Sequence, residues 1–212
     1  MHIVIDGVFN HCSWYFPQFS DVVEKGESSE YANWFYRLQF PVIRPATEEE
    51  KPTYSCFAYE RKMPKLNSSN PEERAYFMEV CRYWIREFKV DGWRLDVANE
   101  VDRGFWRDFH RAAHEENPES VMIGEIWESS ETWLNGDMFD STMNYDFRKN
   151  CRDFFALRKI SAEEFHDRIV KMLLRYRTGT LRGQLNLLDS HDVNRFLSYC
   201  EGDLRRFRLA EV

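Results

Sequence analysis

The chain opens on a β-branched apolar run over residues 2–8, which predicts a strand. Over residues 12–66 no period holds. Aromatic residues, Pro41, Pro45, Pro52 and the charged stretch TEEEK follow one another without register. Plain connections are shorter than this, so the stretch predicts an inserted lobe. Regularity returns at Asn70, which reads as a helix cap. Pro71 takes the first helical position and Glu72 and Glu73 the first turn. Phe77, Val80, Cys81, Trp84 and Phe88 recur along one helical face, and most of that stripe is expected to be core.

The strand GWRLDVA comes next, then a helix over about 103–116 and the strand SVMIGEI. A short helix near Glu131 precedes a weak strand over 141–144. Helical patterns cover about 146–157 and 162–177, the second opened by Ser161 as a cap with Glu164 three positions on. A last strand, GQLNLLD, leads into a C-terminal helix. About five strands alternating with helices imply βαβ units and a parallel sheet, an α/β fold. Both ends, MHIVID and DLRRFRLAEV, read as elements in mid-course, so a window cut from a larger domain is expected.

Composition narrows the function classes. Of 212 residues, 16% are aromatic, including 7 Trp and 17 Phe, which excludes a disordered tail and suits an enzyme or a carbohydrate binder. A net charge of −7 argues against a nucleic-acid partner. No apolar run approaches the roughly 20 residues of a membrane span. Asp6 interrupts the first apolar stretch, so it is no signal peptide. Cys12, Cys56, Cys81, Cys151 and Cys200 are scattered without a C-x-x-C, which points to buried thiols and a reducing, cytoplasmic setting. Neither G-x-G-x-x-G nor G-x-x-x-x-G-K-[ST] occurs, so no nucleotide fold is signalled.

Polar residues gather instead at the C-terminal ends of the strands, where α/β barrels keep their chemistry. In Trp93-Arg94-Leu95-Asp96-Val97, alternation sends Trp93, Leu95 and Val97 to one face and Arg94 with Asp96 to the other. The arginine favours an ionised carboxylate beside it; a structural ion pair is the alternative. Glu125 ends the next strand after an apolar run, with Trp127 two positions on. That setting raises a carboxyl pKa and suits a general acid; a surface glutamate is the alternative. Glu125 lies 29 positions after Asp96, close to the roughly 30 residues of one βα unit. Adjacent strands at equal height would hold the two carboxyls about 4.8 Å apart. That favours a retaining glycosidase, which needs about 5–5.5 Å, over an inverting one, which needs about 6.5–9.5 Å. Ser190-His191-Asp192 follows the last strand, and Asp6 to His11 ends the first.

Four segments, DGVFNH (6–11), GWRLDVANE (92–100), GEIWE (124–128) and LLDSHD (187–192), resemble the ordered signature regions of the α-amylase superfamily of glycoside hydrolases. A fifth, MPKLN (63–67), resembles the signature of its neopullulanase, cyclomaltodextrinase and maltogenic amylase subgroup. The resemblance covers essentially the whole chain. It implies a partial (β/α)8 barrel, about strands three to seven, over 1–11 and 67–212, with 12–66 as the inserted domain B. It implies Asp96 as nucleophile, Glu125 as acid/base and Asp192 as the third carboxylate, which stabilises the transition state. Arg94 accompanies the nucleophile, His11 and His191 bind sugar in the −1 subsite, and Asp6 and Asn10 support them. Phe57, Trp127 and Tyr145 are candidate sugar-stacking residues, with core packing the alternative for each. Glu100 and Glu128 are candidates for shaping acceptor subsites.

The implied substrate is an α-glucan, namely cyclodextrin, pullulan or maltodextrin, cut at α-1,4 and also at α-1,6 links, with transglycosylation alongside. No cofactor is implied, and no ligand set for the family's calcium ion is recognisable. A homodimer is implied through an N-terminal β-domain that this chain lacks. Departures are small: Val193 stands where the family often has Thr, and Gly7 where Ala or Val is commoner. The alternatives are an oligo-1,6-glucosidase, against which MPKLN speaks, and a non-catalytic α-glucan binder or inactive fragment. Open strand edges predict poor stability and little activity for these residues alone.

Overall fold

In the computed structural model, which describes residues 1–212, the opening apolar run forms strand β1, Val4–Gly7. Helix α1 (Pro17–Lys25) and helix α2 (Pro71–Phe88) come before strand β2, Gly92–Leu95. β1 and β2 pair in parallel, with Asp6 opposite Arg94 and Gly7 opposite Leu95. Helix α3 (Arg103–Glu116) carries the chain on to strand β3, Val121–Gly124. The N–H of Val121 donates to the carbonyl of Asp91 at 2.9 Å. Only glycine fits beside that contact, because a Cβ on Gly92 would stand 2.1 Å from the Val121 carbonyl oxygen.

The chain divides into two compact units, Met1–Met122 and Ile123–Val212. In the second, the end of β3 pairs in parallel with strand β4, Ser141–Asn144, and β4 pairs in parallel with strand β5, Leu185–Asn186. Its helices are α4 (Tyr145–Cys151), α5 (Ala162–Arg175), α6 (Thr178–Arg182), α7 (Phe196–Tyr199) and α8 (Leu204–Glu211). α4 runs into a π turn over Arg152–Ala156. Parallel neighbours need such crossovers, so strand–helix alternation follows from the sequence pattern.

The first unit is built on an aromatic core. Phe9 lies 4.9 Å from Phe109 and 5.2 Å from Phe77, ring centre to ring centre, and also touches Trp93, Phe105 and Trp106. Residues 12–66 hold α1 and three short 3-10 turns. Phe19 is their centre, edge-on to Phe35 and Tyr54 at 5.0 Å each. Antiparallel bridges His11–Lys65 and Phe35–Leu66 close the stretch at its base. In the second unit the core gathers Cys151, Ala156, Phe196, Cys200 and Ala210.

Three expectations need correction. On α2 the buried residues are Glu73, Phe77, Met78, Cys81 and Ile85, whereas Trp84 and Phe88 are 38% and 55% exposed. At 100° per residue the apolar positions cover two flanks, and packing selects the one centred on Cys81. Strand β2 stops at Leu95, and Val97 turns left-handed with φ 44°, so it does not continue the alternation of Trp93 and Leu95. The last strand shrinks to two residues, because its partner β4 ends at Asn144 and α4 begins at once.

Candidate active site

In the first unit the β1–β2 register sets Arg94 beside Asp6. Its Nη1 donates to Asp6 Oδ1 and to Asp96 Oδ1, each at 2.8 Å. Asp96 is held from the backbone as well, its N–H donating to the carbonyl of Gly7 at 3.0 Å. One guanidinium thus bridges two carboxylates, and the side chain of Asp96 keeps 18% exposure. A carboxylate fixed in this way, with one oxygen engaged and some access left, is placed to attack an electrophile.

Beside it, Asn10 and His11 are both buried. Asn10 Nδ2 lies 3.4 Å from His11 Nδ1 and donates to Glu100 Oε2 at 3.4 Å. Glu100 also accepts from Lys65 Nζ at 2.8 Å. Burial holds the imidazole of His11 below its usual pKa; the charge of Asp96 pulls the other way, Lys65 adds to the lowering and Glu100 opposes it. A neutral imidazole with an amide donor at Nδ1 carries its own proton on Nε2, a donor suited to a hydroxyl. Phe57 stacks on that ring, centres 4.6 Å apart and planes 1° from parallel.

The MPKLN segment assembles this arrangement. The N–H of Leu66 donates to the Asn10 carbonyl at 3.1 Å, that of Cys12 to the Pro64 carbonyl at 2.9 Å, and that of Phe57 to the Met63 carbonyl at 3.0 Å. Lys65 was not singled out from the sequence, although it lies inside the motif.

In the second unit Glu125 follows β3 and is 3% exposed. Its Oε1 accepts from Trp127 Nε1 at 3.2 Å. Trp127 is half exposed and stacks on Tyr145, centres 4.1 Å apart and planes 12° from parallel. Tyr145 is buried, and its hydroxyl lies 3.4 Å from Ser190 Oγ. Ser190 Oγ in turn accepts from the Asp192 N–H at 3.3 Å, and His191 Nε2 is 3.3 Å from Asp192 Oδ2. Glu125, Trp127, Tyr145, His191 and Asp192 are therefore linked in one chain of contacts, with Ser190 as the joint the sequence did not single out. Glu128 is exposed. Each candidate sugar-stacking ring has one face occupied: Phe57 by His11, and Trp127 and Tyr145 by each other.

Residues 1–212 match the family described as alpha amylase, catalytic domain. A cyclomaltodextrinase of Geobacillus thermopakistaniensis is 44% identical over 209 residues, 99% of this chain and 35% of that protein. An intracellular maltogenic amylase of Bacillus subtilis is 44% identical over 208 residues, 98% of this chain and 34% of that protein. Among solved structures, a cyclic alpha-maltosyl-(1→6)-maltose hydrolase from Arthrobacter globiformis superposes with a TM-score of 0.93 at 38% identity, covering 99% of this chain and 47% of that one. The chain spans about a third of the length of the curated relatives it matches. The fold expected from the sequence, parallel strands and helices from part of a (β/α)8 barrel, is the one these likenesses show.

Proposed function

The chain belongs to the α-amylase catalytic-domain family, and we propose on that footing that it carries the machinery of a retaining α-glucan hydrolase. Asp96 is the nucleophile. Its carboxylate oxygen forms a bond to the anomeric carbon as the glycosidic C–O bond breaks, and Glu125 gives its proton to the departing oxygen. Glu125, now ionised, takes a proton from water, whose oxygen displaces Asp96; an acceptor sugar in place of water gives transglycosylation. Asp192 stabilises the positive charge that develops on the ring, and Arg94 and Asp6 orient Asp96. His11, held in place by Asn10, and His191 bind sugar hydroxyls. Phe57, Trp127 and Tyr145 supply apolar contact to sugar rings, and Glu100 and Glu128 border the acceptor side.

The observation that carries the reading is the bridge from one Arg94 nitrogen to Asp6 and Asp96, 2.8 Å each. It fixes one oxygen of the proposed nucleophile in the way a covalent mechanism requires. The substrates are α-1,4-linked glucans, with cyclodextrins, pullulan and maltodextrins the candidates. A solved relative is named as hydrolase of a cyclic sugar that contains (1→6) links, and α-1,6 cleavage is proposed alongside. Residues 12–66 serve as the inserted domain B, a role supported by their own aromatic centre at Phe19. The reaction proposed needs no cofactor. The name of the intracellular relative and five unpaired cysteines support a cytoplasmic setting. No helix is long and apolar enough to cross a membrane. We extend the reading to a homodimer.

Asp96→Asn tests the assignment in the complete enzyme. Turnover is expected to fall by at least about a thousandfold while maltodextrin binding persists, and wild-type turnover in that variant sinks it. Proton NMR of the first product tests the stereochemistry. An initial α-anomer is expected, and an initial β-anomer overturns the retaining mechanism.

A further inference from the structure

Helix α3 carries two histidines, His110 and His114, that the reaction above does not use. Four residues make just over one helical turn, so both side chains leave the helix on the same side. Their rings stack with centres 4.0 Å apart and planes 23° from parallel. The buried stripe of α3 consists of Phe105, Trp106, Phe109, Ala112 and Ala113. Both histidines sit at its flank, half-buried. They are thus ordered by packing without being sealed in the core.

Nδ1 of His114 lies 2.9 Å from the carbonyl oxygen of His110. A carbonyl only accepts, so Nδ1 carries a proton, and in the neutral ring Nε2 has the lone pair. Histidines that bind metals share this habit: one ring nitrogen donates to a backbone carbonyl while the other ligates. A ring nitrogen of each histidine lies within 4.8 Å of one on the other. Two nitrogens on one ion at 2.0–2.1 Å stand about 2.9–3.4 Å apart with their in-plane lone pairs aimed at it, so the half-buried rings must turn out of their stacked arrangement to ligate. His114 also lies in the last turn of the helix, where the backbone dipole favours positive charge.

We propose that His110 and His114 form a two-histidine chelate for a divalent transition-metal ion of the Zn²⁺, Ni²⁺ or Cu²⁺ class. Imidazole pairs suit these ions, whereas Ca²⁺ and Mg²⁺ take oxygen ligands. The ion ties residues one turn apart and binds the helical form better than the unfolded chain, which raises the melting temperature. This inference does not rest on the glycosidase reading, since metal binding is read without any turnover.

Calorimetric titration of the full chain with Ni²⁺, and separately with Zn²⁺, tests it. One ion per chain is expected, with a rise in melting temperature. His110→Ala and His114→Ala should each weaken binding at least tenfold, and His166→Ala should leave it unchanged. Histidine-ring NMR of the unsubstituted chain gives a second reading, with shifts confined to His110 and His114 on addition of Zn²⁺. No saturable binding below about 1 mM ion, equal affinity in the alanine variants, or ring shifts at other histidines instead would each overturn the proposal.

Discussion

Glu73 is fully buried, and neither of its carboxylate oxygens has a hydrogen-bond partner. Burial pushes its pKa up to about 8, only partly offset by neighbouring Arg74. Arg74 is itself directed to the Ser68 carbonyl, Asp102 and Asp108. Glu73 in turn acts on Cys12, whose thiol is raised to about 12 first by its own burial and then by the charge of Glu73, so it adds no charge near neutrality. The sign of the pH effect follows. The folded chain keeps a proton on Glu73 that the unfolded chain releases above its ordinary value. Glu73 therefore destabilises the fold progressively as pH rises from about 4.5 to about 8, by at most roughly 1.4 kcal/mol per pH unit, and no further above that. Glu73→Met should raise stability at pH 8 clearly more than at pH 5, as read by urea unfolding at the two pH values. An equal gain at both would show that the carboxyl stays ionised in the fold. The sequence pattern did not reveal this residue. A glutamate in the first turn of a capped helix ordinarily points to solvent and the helix dipole. Its burial is set by tertiary packing, which no local period records.

The capped start of α2 is legible because every contact there is local. Asn70 accepts from the N–H groups of Glu72 and Glu73 at 2.9 and 3.0 Å, as its place before Pro71 implies. Asn70→Ala removes both bonds and should cost about 1 kcal/mol of stability, checked by thermal or urea unfolding. The bounds of α3, Arg103–Glu116, were legible for the same reason, with Asp102 capping through the Phe105 N–H. Contacts between strands were not. The pairing of Arg94 with Asp96 joins residues two positions apart at the end of β2, but its second bond, to Asp6, needs the β1–β2 register across nearly ninety residues. The stacking of Phe57 on His11 likewise depends on the bridge from His11 to Lys65. Gly92 shows how tightly such register is held. A methyl group there meets a backbone oxygen, which cannot rotate away as a side chain does. Gly92→Ala should therefore displace the start of β3 and abolish accumulation of folded chain, as seen in soluble yield and far-ultraviolet circular dichroism. A soluble variant with native melting would show that the strands can separate at little cost.

Over the whole molecule, the balance of exposed apolar and charged surface decides how the 212-residue chain behaves in solution. A net charge of −7 opposes self-association. Against it stand large apolar side chains at the surface: Phe88 at 55% exposure, its ring tilted against Trp84, and Leu174 at 80% on α5. Ile3 and Val4 expose further apolar area on and beside β1. Patches of this kind on a soluble chain drive association, and a strand edge adds unpaired backbone groups to them. The chain alone should therefore form oligomers whose apparent mass grows with concentration in light scattering. Phe88→Lys with Leu174→Lys should reduce that growth, since each replaces exposed apolar area with a solvated charge. Surface substitutions change stability by less than about 0.5 kcal/mol, and the Phe88 ring contacts with Tyr83 and Trp84 add little to that, so the melting temperature should move only slightly. The two readouts separate the explanations. Less association with unchanged melting identifies these residues as surface of the 212-residue chain. A large fall in melting temperature would instead mean that Phe88 and Leu174 pack into the fold, and the exposed flank of α2 would then belong to the core that the periodicity of its sequence predicted.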